Sequence, residues 1–569
     1  MSNTALYSDS KGSSPNTESA VMASEDVEAE ASAPITFNEQ TNYVPRKTII
    51  TIFLACSTVD LIAIMDQTTL AASLSIIGEA LDASDKTSWI SGGYFVTSTC
   101  FQLLYGRLSD VWSRKHVLYA GLAIFFLGSL AASLAQTATQ LIIFRALTGI
   151  GGGGLVTVVQ LIVSDVVPLR TRGKYQGILG AVVALSNGLG PVIGGLLATH
   201  ASWRWIFRLN LPLTALTVCC VVFFLPLRKV TGDWKRKLQA IDFFGALLAL
   251  GGTSLLLLGL TWGGGERPWR SAPVVGTITG GGVLCVAFVV WQWKGTAYPL
   301  VPMHIFRSGI VNGACITMFL HGWNILVQLY YIPVFYQLAM GYSALKAAAM
   351  LLPITIMASV SSTLSGLVVH WLGRYREPIL FGWVAWAVGL GLFSTLDASS
   401  GLGKQIGYAL LTGVGLGNTL QPALIAIQAG VARRDMAVTT AFRNFTRNLG
   451  GTLGLAIAGT ILTNLLTTTT TALALSPTDH TLFLRNPTTY LASLPAAEAA
   501  QLRAAILPVY QHGFRIIFRI GAGMAAVAVV VVWALIPQVE LEVSSPTEEG
   551  CEGLGLGPGA EPAERKGGA

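Results

Sequence analysis

Asp60 and Asp66 sit in one apolar stretch, residues 49–70; Arg145 sits in another, 141–163; Arg443 and Arg447 head a third, 438–465. Stretches of about 20 apolar residues span a bilayer as helices. A charge inside one costs about 2.5–3.5 kcal/mol on insertion scales, so each needs a reason. Asp66 and Arg145 have the chemistry of a proton site. A carboxylate in a low-dielectric cavity holds its proton more tightly than in water, and a nearby guanidinium opposes that shift. Moving the arginine then loads or releases the proton. A fixed ion pair between helices is the simpler alternative. For Arg443, near the end of its stretch, snorkelling to the interface is the favoured reading. Asp60 and Asp66 are about 240° apart around a helix, so they face different neighbours.

Two glycine-bearing motifs flank these charges. Residues 188–212 read GLGPVIGGLLATHASWRWIFRLNLP. Gly190 and Gly194 lie one turn apart and leave a bare helix face, against which a second backbone can pack closely. Pro191 removes a donor and kinks the helix, and Gly195 extends the small-residue patch. The segment reads as a packed hinge. Trp203-Arg204-Trp205 beyond it suits a membrane interface. The second motif is Gly106-Arg107-Leu108-Ser109-Asp110-Val111-Trp112-Ser113-Arg114-Lys115. Gly106 allows a tight turn, and Asp110 can cap a helix and pair with Arg114, forming a latch; an ordinary basic loop is the alternative.

The elements that position these residues follow from composition. Of 569 residues, 52% are apolar and 11% charged, against roughly 25% charged in soluble domains; mean hydropathy is +0.60. Fourteen apolar stretches run from 49–70 to 513–536. The net charge of +7 is spread in short clusters between them, which is no nucleic-acid signature. With the N-terminus inside, the inner loops hold 17 Lys and Arg and the outer loops 8, so both tails are expected in the cytosol. The cysteines show no metal or disulfide spacing. Gly149–Gly154 matches a dinucleotide fingerprint in letters only; lying inside an apolar stretch, it reads as close helix packing. No catalytic motif is present, so an enzyme, a cofactor and a metal site are not expected.

Four segments together resemble the major facilitator superfamily, and within it the fourteen-span drug:proton antiporters, in wording closest to fungal members. The Gly106–Lys115 loop resembles the superfamily's loop signature, with Ser113 where a glycine is usual. Leu141 to Gly153 resembles the fourth-span signature, in which the arginine is linked to proton coupling. Gly190-Pro191-x-x-Gly194-Gly195 resembles the fifth-span antiporter signature, with Ser186 replacing its first glycine. Met65-Asp66-Gln67-Thr68 resembles the first-span signature in part, with Ser75 at the expected proline; Trp203–Phe207 with Asn210 and Pro212 is also typical. The resemblance covers about residues 48–465.

It implies an all-α membrane protein with the major facilitator fold: two six-helix bundles about a pseudo-two-fold axis, two inserted helices, and a midplane site. The expected parts are a disordered cytosolic tail 1–47, a bundle 48–227, a linker with spans 7 and 8 at 228–309, a bundle 310–536 with an outer loop 467–512, and a tail 537–569. The implied activity is proton-coupled efflux of amphiphilic small organic molecules (drug, toxin or secondary metabolite) across the plasma membrane by alternating access. Asp66 and Arg145 would couple the proton, and Gly106, Asp110 and Arg114 would gate the cytosolic side. Gln102, Asn187, His321, Asn324, Gln328, Tyr331 and Gln421 are candidates to line the cavity or, equally, to hydrogen-bond between helices. The expected partners are a small-molecule substrate, protons and the bilayer, with the chain acting as a monomer. Siderophore uptake, vacuolar loading of basic amino acids, and a non-transporting sensor remain the alternatives.

Overall fold

The structure, a computed structural model, describes residues 46–538 apart from 72, 84–86, 168, 225–240, 264–266, 433–434, 473–482, 484–489 and 492. Both expected tails and the basic 228–240 segment therefore lie outside the described residues, apart from short stretches next to the helices.

Among the described residues, fourteen long helices occupy the fourteen apolar stretches: α1 (Arg46–Ala71), α2 (Thr87–Val111), α3 (Arg114–Ser133), α4 (Ala138–Val166), α5 (Leu169–His200), α6 (Arg204–Phe224), α7 (Phe243–Trp262), α8 (Ala272–Lys294), α9 (Gly309–Leu338), α10 (Leu352–Leu372), α11 (Arg376–Phe393), α12 (Leu402–Ala429), α13 (Met436–Ala472) and α14 (Ala496–Leu535). Twelve of them are long and apolar enough to cross a membrane. The remaining two, α2 and α11, are diluted by Ser, Thr and Gly or by Arg376 and Glu377. Caps are local and readable: the Thr137 hydroxyl accepts from Gln140 N, and Asp242 accepts from Gly245 N.

Packing repeats with a period of eight helices. Within α1–α6, the neighbours are α1–α5, α1–α6, α2–α4, α3–α4 and α3–α6. Within α9–α14, they are α9–α13, α9–α14, α10–α12, α11–α12 and α11–α14, the same pattern displaced. Each bundle has its own apolar core. The bundles meet through α5 on α10 and, as the symmetric counterpart, α2 on α13. The inserted α7 and α8 pair with each other, and α7 leans on α2 and α13. Asp242 ties that insert together, accepting from Trp291 Nε1 (3.0 Å) and Gln292 Nε2 (2.7 Å).

Two expectations change. The loop expected at 467–512 is partly helix: α13 runs to Ala472 and α14 starts at Ala496, 17 residues before the apolar stretch. Residues 496–506 read AAEAAQLRAAI, rich in strong helix formers, so helix propensity continues past the apolar segment. Arg443 does not snorkel. It is fully buried, because α13 begins two turns earlier and α12 covers it: Nη2 donates to Leu420 O (2.6 Å) and Nη1 to Asn444 Oδ1 (3.1 Å).

Candidate functional site

Asp66 faces away from the lipid, into the junction of α1, α4 and α6. Its Oδ2 accepts from Arg145 Nη1 at 2.7 Å and its Oδ1 from Asn210 Nδ2 at 2.6 Å. Both charged side chains are essentially solvent-free, at 1% and 0% exposure. The guanidinium also lies over the Tyr94 ring, 4.5 Å from its centroid, and 5.8 Å from that of Phe207. Tyr94 Oη in turn accepts from Gln67 Nε2 at 3.2 Å. Arg145 Nε has no hydrogen-bond partner. The charge is thus held by one carboxylate and aromatic faces, so loss of the carboxylate's charge would leave a buried cation with only the rings to stabilise it.

The close approach of these helices depends on glycine. A Cβ on Gly153 would run into Ser98 O, and one on Gly151 would lie 2.7 Å from Phe125 N, so α4 is wedged between α2 and α3. On α5, a Cβ on Gly190 would overlap Thr68 Oγ1 and one on Gly194 would overlap Thr69 O. The bare face of α5 therefore packs on the turn of α1 that follows Asp66. Pro191 lies beside it inside α5, and its missing N–H releases the Asn187 carbonyl from the helical ladder. Gly195 sits on the same helix, half-buried.

Between the bundles lie two adjoining voids. One is bordered by Ile64, Gln67, Thr68, Phe95, Leu329 and Asn448 among others. The second reaches His321, Ser362, Leu416 and Leu420. They share Val183, Asn187, Ile325 and Arg447. Gln67 and Thr68 thus connect the cavity wall to the Asp66 site one residue away.

The end of the molecule that carries the α2–α3, α4–α5 and α12–α13 turns, here called the basic end, is tied shut. Arg172 Nη1 donates to Gln428 Oε1 (3.0 Å), and Gln428 Nε2 donates to Ser164 Oγ (2.7 Å), bridging the bundles. Asn444 Nδ2 donates to Gln160 Oε1 (2.9 Å). Gly106 packs against α13, where a Cβ would lie 2.7 Å from Ala441 Cβ. Arg114 is fully buried, and its Nε donates to Asp165 Oδ2 of α4 at 3.0 Å. The Asp110 side chain lies outside the described residues.

Of the other polar candidates, Asn187 and His321 border the voids. Gln421 lies against α5, where a Cβ on Gly180 would come 2.8 Å from its Cγ. The rest turn elsewhere. Asn324 Nδ2 donates to Gly521 O of α14 (3.3 Å), Gln328 Nε2 donates to Asn324 O (3.1 Å), and Tyr331 Oη donates to Leu455 O of α13 (3.2 Å). Asn324 and Tyr331 thus join helices, Gln328 bonds back within α9, and none of the three borders the voids. Gln102 is buried with Oε1 unpartnered. Sequence reasoning noted Asn210 and Arg447 without assigning either to the site, and missed Asp165. Asn210 had a signal, a lone amide in the apolar run of α6.

Two six-helix bundles with the same packing pattern around central voids, with a buried charge pair one residue from the cavity wall, fit a membrane transporter. The chain belongs to the Major Facilitator Superfamily, whose family model matches residues 57–455. It is 34% identical to Citrate exporter 1 of Yarrowia lipolytica over 494 residues, covering 87% of this chain and 73% of that protein. It is 33% identical to Efflux pump dotC of Dothistroma septosporum (strain NZE10 / CBS 128990), over 74% and 72% of the two chains. Among solved structures, it superposes on the proton:xylose symporter XylE with a TM-score of 0.56 at 13% identity, covering 87% and 97%. The human organic anion transporter MFSD10 gives a TM-score of 0.55 at 14% identity, covering 86% and 100%. These structures establish the shared fold.

Proposed function

We propose that this transporter exports small organic metabolites in exchange for protons, by alternating access across the plasma membrane with both termini in the cytosol. The observation that carries the reading is the Asp66–Arg145–Asn210 cluster, buried where α1, α4 and α6 meet and one residue from the cavity wall. A proton from outside neutralises Asp66 and removes its attraction for Arg145. The α1–α4 contact loosens, and α5, packed on α1 through Gly190 and Gly194 and kinked at Pro191, rocks with it. On the return the proton leaves to the cytosol and the pair re-forms. With the basic end cytosolic, the Arg172–Gln428–Ser164 bridge and the Gly106, Asp110 and Arg114 segment close the cytosolic gate. The efflux pumps among the relatives support the outward direction.

The test is expression in a yeast host, with sensitivity to a toxin panel and the intracellular and secreted metabolites measured against an empty-vector strain. Lower internal and higher external levels of a compound set are expected. Unchanged sensitivity together with unchanged secretion would overturn the export reading.

A further inference from the structure

Arg447 is a cation that the proton site does not use. It borders both voids and is half-buried, unlike the wholly buried Arg145 and Arg443. Among the described residues it makes no ion pair: the salt bridges there involve Arg114, Arg145, His304 and Arg374. Its backbone is fixed, because a Cβ on Gly322 of α9 would overlap Arg447 O, so α9 and α13 touch there. The side chain therefore starts from a rigid crossing and reaches into the cavity.

The charge around it is unbalanced. Asp66 is matched by Arg145. Of the remaining charges buried at mid-depth, Arg443 and Arg447 are positive and lie one turn apart, and Arg443 spends two of its nitrogens on Asn444 and Leu420. Asp60 of α1 is the carboxylate whose field reaches Arg447, beyond ion-pair distance, and its Oδ1 is unpartnered. One acid against two guanidiniums leaves the cavity net positive. His321 of α9 borders the same void at 1% exposure, with both ring nitrogens unpartnered and its ring 5.1 Å from that of Trp386. A buried imidazole without partners is costly unless a ligand completes it. Asn187 and Asn448 add amide donors on the facing walls. Beside the polar Gln67, Thr68 and Ser362, the wall is largely apolar, with Phe95, Val183, Ile325 and Leu329 among its residues.

We propose that the cargo is an organic carboxylate with an apolar body, its carboxylate held by the Arg447 guanidinium and capped by His321. This rests on the export reading and supplies its substrate class. A guanidinium matches a carboxylate with two parallel bonds, which an ammonium cannot do. Exchange of such an anion outward for a proton inward moves two positive charges inward per cycle, so transport carries current.

The experiment uses the full chain in proteoliposomes, with octanoate and salicylate each compared with its neutral amide, and octylamine as a cation. Transport is read as counterflow of radiolabel and as current on a supported membrane. The acids are expected to be carried and to generate current, and the amides and amine not. Arg447→Gln is expected to lower acid transport at least tenfold, and Arg447→Lys to restore part of it. Monodispersity and melting temperature show whether each variant is folded. If wild-type protein carries the amides or the amine as well as the acids, the anion assignment is overturned and export stands. An Arg447→Gln variant that is folded and carries the acids at the wild-type rate also overturns it. If none of the probes is carried and the yeast strain secretes nothing, export itself fails.

Discussion

Asp66→Asn removes one charge from the buried cluster and leaves its shape. Asn210 keeps an oxygen to donate to, but Arg145, 1% exposed with Nε already unpartnered, is left as a solitary buried cation. Breaking a buried pair from one side costs about 3–5 kcal/mol. The Tyr94 face, 4.5 Å away, offsets about 1–2 kcal/mol of that. The expected loss is therefore about 1–4 kcal/mol, seen as a lower melting temperature in detergent. Adding Arg145→Gln removes the stranded charge, so the double variant should recover most of that stability. Transport should not recover: neither variant should drive export from a pH gradient, while both should still exchange cargo down its own gradient. A double-mutant cycle with a coupling energy below about 0.5 kcal/mol would show that the two residues do not act as a pair. Gradient-driven export by folded Asp66→Asn would refute the proton role.

Gly194→Ala should cost about 1–3 kcal/mol and slow transport, because its Cβ meets Thr69 O; Gly391→Ala, with open space around it, should change neither property. Gln428→Ala removes two bridges between the bundles, one to a guanidinium, each worth about 1–3 kcal/mol. It should raise thiol labelling of a cysteine placed at Ala437, at the basic end, at least tenfold; unchanged labelling would show that the bridge does not hold the gate. Asp165→Ala strands buried Arg114 and should destabilise by about 3–5 kcal/mol, read from the melting temperature, whereas Arg114→Met with Asp165→Leu should be far milder.

The helices were legible because lipid demands long apolar segments, and twelve of the fourteen meet that demand outright, α2 and α11 being more diluted. The extension of α14 was not, since hydropathy reports contact with lipid, whereas Ala-Ala-Glu-Ala-Ala extends a helix through propensity without being apolar enough to register. Asp66 and Arg145 stood out because a charge in an apolar run is too costly to be incidental. Their pairing could be raised but not fixed, because it joins residues 79 positions apart, and Asn210 enters from 144 positions away. A neutral amide in a membrane helix costs little, so its face cannot be read from the chain. That is why Asn187 borders the cavity while Asn324 turns to α14. Arg443 misled for a related reason: distance from the end of an apolar stretch says nothing of which helix covers it. Arg114 was expected to meet Asp110, whose side chain lies outside the described residues; the carboxylate partner described for it, Asp165 at the end of α4, carried no signal in the sequence.

The central claim is exchange of cargo for protons through Asp66. The most direct measurement is proton flux in inside-out vesicles carrying the full chain, with a pH-sensitive dye in the lumen and an acid interior imposed. Addition of a compound that the yeast strain secretes should raise luminal pH in wild-type vesicles and leave it unchanged with Asp66→Asn. A compound that accumulates in the vesicles without any change in luminal pH, or an equal pH change with Asp66→Asn, would contradict it.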